Sequence, residues 1–365
     1  RSTVQPTGTS SSTVCSTSWR RNCVKLKCVT TSAESSLLGE FELIRQFFAS
    51  AACAQPASGV VQGIGDDCAL LALPPAEQLA VSTDTLVAGV HFPDPCDAFL
   101  LGQRGLAVTA SDLAAMGATP LGFTLALTLP AADTRWLEGF AAGLDSMARA
   151  CGLALIGGDT TRGPLSMTFT VFGRLPAGQA LLRSGAQVGD LLCVGGTLGD
   201  AAAALPLVLG QASADAALVD PLLARYWAPQ PQLALGQALR GRASAALDIS
   251  DGLLADCAHL ASASGVALRI ELSKLPLSPA MLEITDIAAA RNYALSGGDD
   301  YRLLFTLPAT ELAGLQRQWP EVTQIGCVEL GSGVLLVDAA GQACVPARSG
   351  YQHFGKDQEF GEAHD

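Results

Sequence analysis

The sequence predicts a layered α/β (α+β) protein in two domains. Three observations carry this: apolar strand-like runs alternate with helical periodicity along most of the chain, 365 residues exceed one ordinary domain, and 49% are hydrophobic. "GEFELIRQFFASAAC" opens the ordered pattern, with Phe41, Ile44, Phe47 and Phe48 at helical spacing. "CALLAL" and "LAVSTDT" read as strands, 97–117 as a helix, and "GFTLALTL" as a strand. "DTRWLEGFAAGLDSMARAC" reads as a helix with an Asp near its start and Gly152 at its end. The strands "LALIGG" and "LSMTFTVFGRL" close this first series.

After "LLRSGAQVGDLLCVGG" a second series begins, with a helix from about 198 and helices near 219–241. The strand "SAALDIS", a helix from about 252, the strands "VALRIEL" and "GGDDYRLLFTL", further helices and two short strands follow. Pro176 to Arg183 is the expected junction. "GIGDDCALL" and "SGGDDYRLLF" share an outline that hints at internal duplication.

Residues 1–38 stand apart: rich in Ser and Thr, with five basic residues against the single acid Glu34. They read as a disordered leader or transit-like extension, and 356–365 as a tail. No apolar run is long enough to span a bilayer, because "AAAALPLVLG" is broken by Pro206. Net charge is 22 − 34 = −12, and without the leader 17 − 33 = −16. A nucleic-acid backbone calls for a basic face, so that partner is excluded. The eleven cysteines show no CxxC or zinc spacing. They read as reduced, packed apolar residues suited to the cytoplasm, Cys68 included.

The placement of the aspartates is the informative pattern. "GIGDDC", "VSTDTL", "TASDLAAMGA", "IGGDTT", "LDISDG" and "SGGDDY" each set Asp beside an apolar segment, among Gly, Ser or Thr. Singly, each is explained as a turn former or helix N-cap, Asp112 and Asp251 above all. As a set they would bring carboxylates together at strand ends. Converging carboxylates raise one another's pKa unless a cation joins them. Oxygen-only sites suit Mg²⁺, brought in with a nucleotide, which would also be the counter-charge for the Asp299–Asp300 pair.

Only four lysines are present, so phosphates would be met by arginine, backbone N–H groups or metal. No Walker-type loop occurs. "VGGTLGDAAAA" could cradle an anion, Arg183 could reach a phosphate, and His91 is placed for a substrate contact. Neither a GxSxG nor a Ser/His/Asp spacing supports a hydrolase.

"GEFELIRQFF", "GIGDDCALL", "VSTDTLVAGVHF", "TASDLAAMGATP", "LIGGDTTRGPLSMT", "LLRSGAQVGD", "LDISDGLLADCAHL", "LSGGDDYRLLFT" and "GYQHF" follow in order. Together they closely resemble the bacterial thiamine-monophosphate kinases, from about Gly39 to Gly355. The resemblance implies the two-domain fold of aminoimidazole-ribonucleotide synthetase. There, an N-terminal domain (39–175) pairs its sheet with a second subunit's in a barrel-like homodimer, and a C-terminal α/β domain (176–355) follows. It implies ATP-dependent phosphorylation of thiamine monophosphate to thiamine diphosphate by direct in-line transfer. Carried over by motif, the Mg²⁺ ligands would be Asp67, Ser82, Thr83, Asp84, Asp112, Asp159, Asp248 and Asp251. Gly158, Arg183 and Ser250 would contact ATP, and His91, Asp299 and Tyr351 the thiamine phosphate. The family pattern has glutamate where this chain carries the shorter Asp299. No general base is implied, since a phosphate monoester is already nucleophilic. Two rival readings are another ATP-dependent synthetase on the same scaffold (selenophosphate or aminoimidazole-ribonucleotide type) and a non-catalytic divalent-metal binder.

Overall fold

The structure, a computed structural model, describes residues 40–345. The expectations for 1–38, for Tyr351 and for 356–365 lie outside the described residues. Chain order begins with α1 (Glu40–Leu43), which continues as a wider turn over Ile44–Ala49 and buries Leu43, Phe47 and Phe48. The short strands β1 (Val60–Gln62) and β2 (Leu70–Leu71) form an antiparallel pair. "CALLAL", expected as a full strand, supplies only the two residues of β2.

Then come β3 (Glu77–Val87), α2 (Ala98–Ala115), β4 (Thr119–Leu129), α3 (Thr134–Cys151), β5 (Ala154–Arg162) and β6 (Ser166–Pro176). The four strands form one sheet in the order β3-β6-β4-β5, antiparallel except for β4 beside β5. β6 explains its burial by period: Met167, Phe169 and Val171 are fully buried, while Thr168, Thr170 and Phe172 between them are half-buried. The buried side faces α2 and α3. Asp133 caps α3 by accepting from the amides of Arg135 and Trp136, and Gly152 ends it at φ 67°. The two helices meet backbone to backbone: a Cβ on Gly143 would stand 1.9 Å from the Phe99 carbonyl oxygen. The other sheet face is open, with Leu79 and Val81 exposed and the hydroxyls of Thr83–Thr170 and Thr85–Thr168 paired at 2.9 Å.

No helix or strand occurs between β6 and β7 (Leu191–Val194). After β7 follow α4 (Asp200–Val208), α5 (Ala216–Trp227), α6 (Leu233–Leu239), β8 (Ala245–Asp248), α7 (Leu253–Ser264) and β9 (Ala267–Glu271). α8 (Pro279–Ile284), α9 (Ile287–Ser296), β10 (Leu303–Leu307), α10 (Ala309–Gln316), β11 (Thr323–Glu329), β12 (Gly333–Val337) and β13 (Ala343–Cys344) complete the described chain. The second sheet has the order β13-β12-β9-β11-β7-β10-β8. β10 lies between β7 and β8 and is buried along its whole length, as its unbroken "LLFTL" demands. The mixed α/β character expected from the sequence holds.

Two sequence-level expectations fail. Asp112 is no N-cap: α2 starts at Ala98 behind the cap Asp97, and Asp112 sits in its last turn. Nor is Asp251, since the residue before α7 is Gly252. The duplication hint finds no support either, because Asp66 and Asp67 lie on an exposed loop while Asp299 and Asp300 lead into the buried β10. Among the described cysteines, Cys53, Cys151, Cys193 and Cys257 are buried as expected, whereas Cys68 is exposed. No helix among the described residues is long and apolar enough to cross a membrane.

The halves touch along α2. Its Ala114 carbonyl would lie 2.0 Å from a Cβ on Gly236 of α6, and the Leu181 amide donates to the Met116 carbonyl at 3.1 Å. This contact carries the end of α2, and with it Asp112, to the edge of the second sheet.

Candidate functional site

β3 alternates, so Ser82 and Asp84 turn inward toward α2 while Thr83 turns outward. The Ser82 hydroxyl donates to Asp112 Oδ2. A pocket of about 240 Å³ opens there, lined among others by Ser82, Asp112, Met116, Arg183, Leu247 and Asp248. Its walls therefore come from β3 and α2 of the first half and from β8 and the 177–190 connection of the second.

Electrostatics mark this spot. Burial, with Asp112 beside it, pushes the Asp84 carboxyl up to about 6. Burial also raises Asp112, against the Ser82 hydroxyl and Arg183, which favour its charged form. Asp248 is pushed to about 7 by burial and then by Asp112. Asp112 also sits where a helix disfavours negative charge, at its C-terminal end. A carboxylate held against both its neighbours and the helix dipole is an unfavourable way to build a fold. It is a reasonable way to build a cation site.

The turn after β8 presents Ser250 and Asp251. Asp256, one turn into α7 and 4% exposed, accepts from the amides of both at 3.1 Å. Burial and then Asp251 push its carboxyl to about 7. Sequence reasoning passed over Asp256, although its spacing from Asp251 on a helix start was visible. Asp256→Ala is expected to leave two amides unsatisfied, at about 1–3 kcal/mol each, and so to loosen the turn. Thermal denaturation should show a lower midpoint. Asp256→Asn, which keeps an acceptor oxygen, should recover most of it.

Asp299 and Asp300 find separate partners within the chain. Arg104 Nη2 lies 2.9 Å from Asp299 Oδ2, and the Tyr301 hydroxyl donates to Asp299 Oδ1 at 3.1 Å. Asp300 accepts the Gly199 amide with both oxygens, at 2.9 and 3.0 Å. That corrects two expectations. The cation expected opposite the pair is a buried arginine, and the "VGGTLGD" turn cradles the chain's own carboxylate in place of a free anion. Sequence alone could not choose between these, because Asp300 and Gly199 are 101 positions apart. A glycine is required here: Gly199 has φ 85°, and a Cβ on it would meet the Ala294 amide nitrogen at 2.6 Å.

The structure unites Ser82, Asp84, Asp112, Arg183 and Asp248, and sets the Ser250–Asp251 turn at the end of the same β8. It does not bring the remaining expected ligands to them. Asp67 is exposed on its loop, where its own amide donates to Asp66. The Thr83 side chain lies on the opposite sheet face, bonded to Thr170. Asp159 stands in register with Ala126 on that same outward side, and Gly158 before it is exposed at φ 155°. Period-2 pleating separates neighbours that look adjacent in sequence. His91 accepts the Val87 amide at Nδ1 at 2.9 Å, and its carbonyl faces Arg104 and Tyr226.

Ser82, Asp84, Asp112 and Asp248 form an oxygen-only donor set of like charges, which fits a hard cation such as Mg²⁺. Among the described residues no group of three or more Asp, Glu, His or Cys side chains stands placed to hold a metal ion.

Comparison with known proteins accords with this geometry. The AIR synthase related protein N-terminal domain matches residues 65–175, and the corresponding C-terminal domain residues 187–338. Thiamine-monophosphate kinases of Salmonella typhimurium and Escherichia coli (strain K12) are each 49% identical over 271 residues, covering 74% of this chain and 83% of theirs. The crystal structure of thiamine-monophosphate kinase from Stenotrophomonas maltophilia K279a aligns with a TM-score of 0.74 at 46% identity, over 79% of this chain and 93% of that one. A structure described as AaThiL complexed with AMPPCP and TMP aligns with a TM-score of 0.68 at 31% identity, over 78% and 89%. Hydrogenase maturation protein HypE in complex with ATP, at 20% identity and a TM-score of 0.66, shares the fold. Two domain matches in tandem and relatives at this identity leave one assignment: the chain belongs to the thiamine-monophosphate kinase family of AIR synthase related proteins.

Proposed function

We propose that this chain is an ATP-dependent kinase that phosphorylates thiamine monophosphate to thiamine diphosphate, with Mg²⁺, as a cytoplasmic homodimer. The observation that carries the reading is the meeting of Ser82, Asp112 and Asp248, from both halves, in one pocket beside Arg183, with the Asp84 carboxyl acting on Asp112 from the same strand as Ser82. The names of its relatives, and the AMPPCP and TMP bound by one of them, agree with it.

The acceptor is a phosphate monoester whose second pKa is near 6, so at neutral pH it is largely dianionic and needs no general base. The obstacle is the approach of two polyanions. Mg²⁺, when bound, would offset that repulsion and align donor with acceptor. Asp84, Asp112, Asp248 and Asp251, with Ser82, would hold it; Arg183 and Ser250 would orient the ATP phosphates. Asp299 and the His91 segment would face the acceptor. The roles of Asp67, Thr83, Asp159 and Gly158 rest on the family resemblance, as does that of Tyr351. The halves 39–175 and 176–355 would act as the two domains. The open sheet face bearing Leu79 and Val81 would meet a second copy, covering apolar residues that are 43% and 54% exposed in one chain.

Purified protein given ATP, Mg²⁺ and thiamine monophosphate should yield thiamine diphosphate and ADP, separated by chromatography. Turnover of selenide or of formylglycinamidine ribonucleotide instead would move the chain to a sister activity. Metal binding with no product would leave a non-catalytic metal binder. Mg²⁺ should also raise the melting temperature without any substrate, because it relieves carboxylates that burial and repulsion disfavour. That rise should shrink in Asp112→Asn. An equal rise in variant and parent would remove Asp112 from the cation site.

A further inference from the structure

Arg104 stands in the middle of α2 and is 2% exposed. A cation buried that deeply is unfavourable unless its partners are good, and a methionine would fill the same space without that cost. Its partners come from three segments and both halves. The guanidinium pairs with Asp299 at 2.9 Å and lies 4.0 Å over the Tyr226 ring. Nη1 donates to the Tyr226 carbonyl at 2.6 Å, and Nη2 reaches the His91 carbonyl at 3.5 Å. The Tyr226 hydroxyl donates to that same His91 carbonyl at 3.3 Å.

Asp299 is fixed from every side. Its two oxygens are taken by Arg104 and by the Tyr301 hydroxyl, and its amide donates to the Ser250 carbonyl at 2.9 Å. Asp299 and Tyr301 have φ of 69° and 48°, a region that residues with a Cβ enter only when their surroundings impose it. Yet the Asp299 side chain remains 34% exposed, so a lone-pair edge faces solvent. A carboxylate built into such a frame is oriented and charge-compensated, and it offers acceptors only.

We propose that Arg104 is a positioning residue that holds Asp299 and the His91 segment as one preformed wall for the acceptor substrate. This rests on the kinase reading above. The paired Asp299 presents hydrogen-bond acceptors without the net negative charge that would repel an incoming phosphate. It fits the amine-bearing, cationic ring end of the acceptor, while the phosphate end goes to the acid cluster. Arg104 itself touches no substrate; it acts through Asp299.

The test is steady-state kinetics with ATP and thiamine monophosphate varied separately, for the parent, Arg104→Lys, Arg104→Met, Tyr301→Phe and the Arg104→Met/Asp299→Asn double variant. Losing the guanidinium fork or the tyrosine bond should raise KM for thiamine monophosphate about tenfold, the scale of one hydrogen bond to a charged group, with KM for ATP within about twofold. The double variant removes both charges, so its melting temperature should recover relative to Arg104→Met, which separates the ion pair's effect on stability from the KM comparison made with the single variants. If Arg104→Met does not fold, Arg104→Lys and Tyr301→Phe carry the same comparison. An unchanged KM for thiamine monophosphate in those two, or both KM values rising in step, overturns the proposal. A parent that makes no thiamine diphosphate overturns the kinase reading, and this inference with it. An active parent with indifferent variants overturns this inference alone.

Discussion

Asp84→Asn is expected to lower turnover about a thousandfold, the scale on which removing one preorganised charge from a phosphoryl-transfer site is felt, and to leave the fold as stable as before or more so. The two effects have one cause. Burial and the neighbouring Asp112 push the Asp84 carboxyl up to about 6 from 3.8. An acid with a raised folded-state pKa binds its proton more tightly when folded. Its contribution to stability is therefore present below about pH 4 and lost as pH rises to about 6. At neutral pH the ionised Asp84 burdens the metal-free fold, and asparagine, of the same shape, removes the burden along with the charge. Kinetics with Mg²⁺ near its half-saturating level, paired with a melting curve in chelator, would read both. Near-parent turnover would reject Asp84 as part of the cation site. A large drop in melting temperature would mean that its carboxylate serves the fold instead.

Gly236→Ala should destabilise the protein by about 3 kcal/mol, a loss of about 6 °C in melting temperature. Helix propensity alone argues the other way, since alanine is favoured over glycine in a helix by about 1 kcal/mol. Contact decides it. The added Cβ would stand 2.0 Å from the Ala114 carbonyl oxygen and 2.9 Å from its carbon, both backbone atoms that no rotamer change can move aside. Relief requires α6 to withdraw from the end of α2, and Asp112 lies two residues before Ala114. Activity should therefore fall further than the fraction unfolded accounts for. An alanine variant that melts with the parent would show that the two helices yield at this contact, leaving the placement of Asp112 less rigid than the packing implies.

How much of the site was legible depends on how far apart its parts lie in the chain. Each aspartate unit was visible locally, because Gly, Ser and Thr around an acid at a strand end are local chemistry. The resemblance added their order. Which acids meet was not visible. Thr83 and Asp84 are neighbours in sequence, yet pleating sends one to the Thr170 hydroxyl and the other toward Asp112. Asp159, in "IGGDTT", reads like the other acid units, and the sheet register puts it on the outward side. Arg104 and Asp256 were missed because nothing in "QRGL" or "LLADC" distinguishes a helical charge that is buried from one that is solvated.

By itself the sequence determined the layered α/β character, the helices and strands with clear period, the acidic oxygen-donor chemistry and the kinship. These follow from residues a few positions apart, where backbone geometry and side-chain pattern act directly. Tertiary structure alone decided that Asp299 answers to Arg104, Asp300 to the Gly199 amide, and Thr83 to Thr170 on the outward face of its sheet. Those outcomes hang on contacts across a hundred residues or more and on which side of a strand faces inward, and chain-local forces carry no information about either.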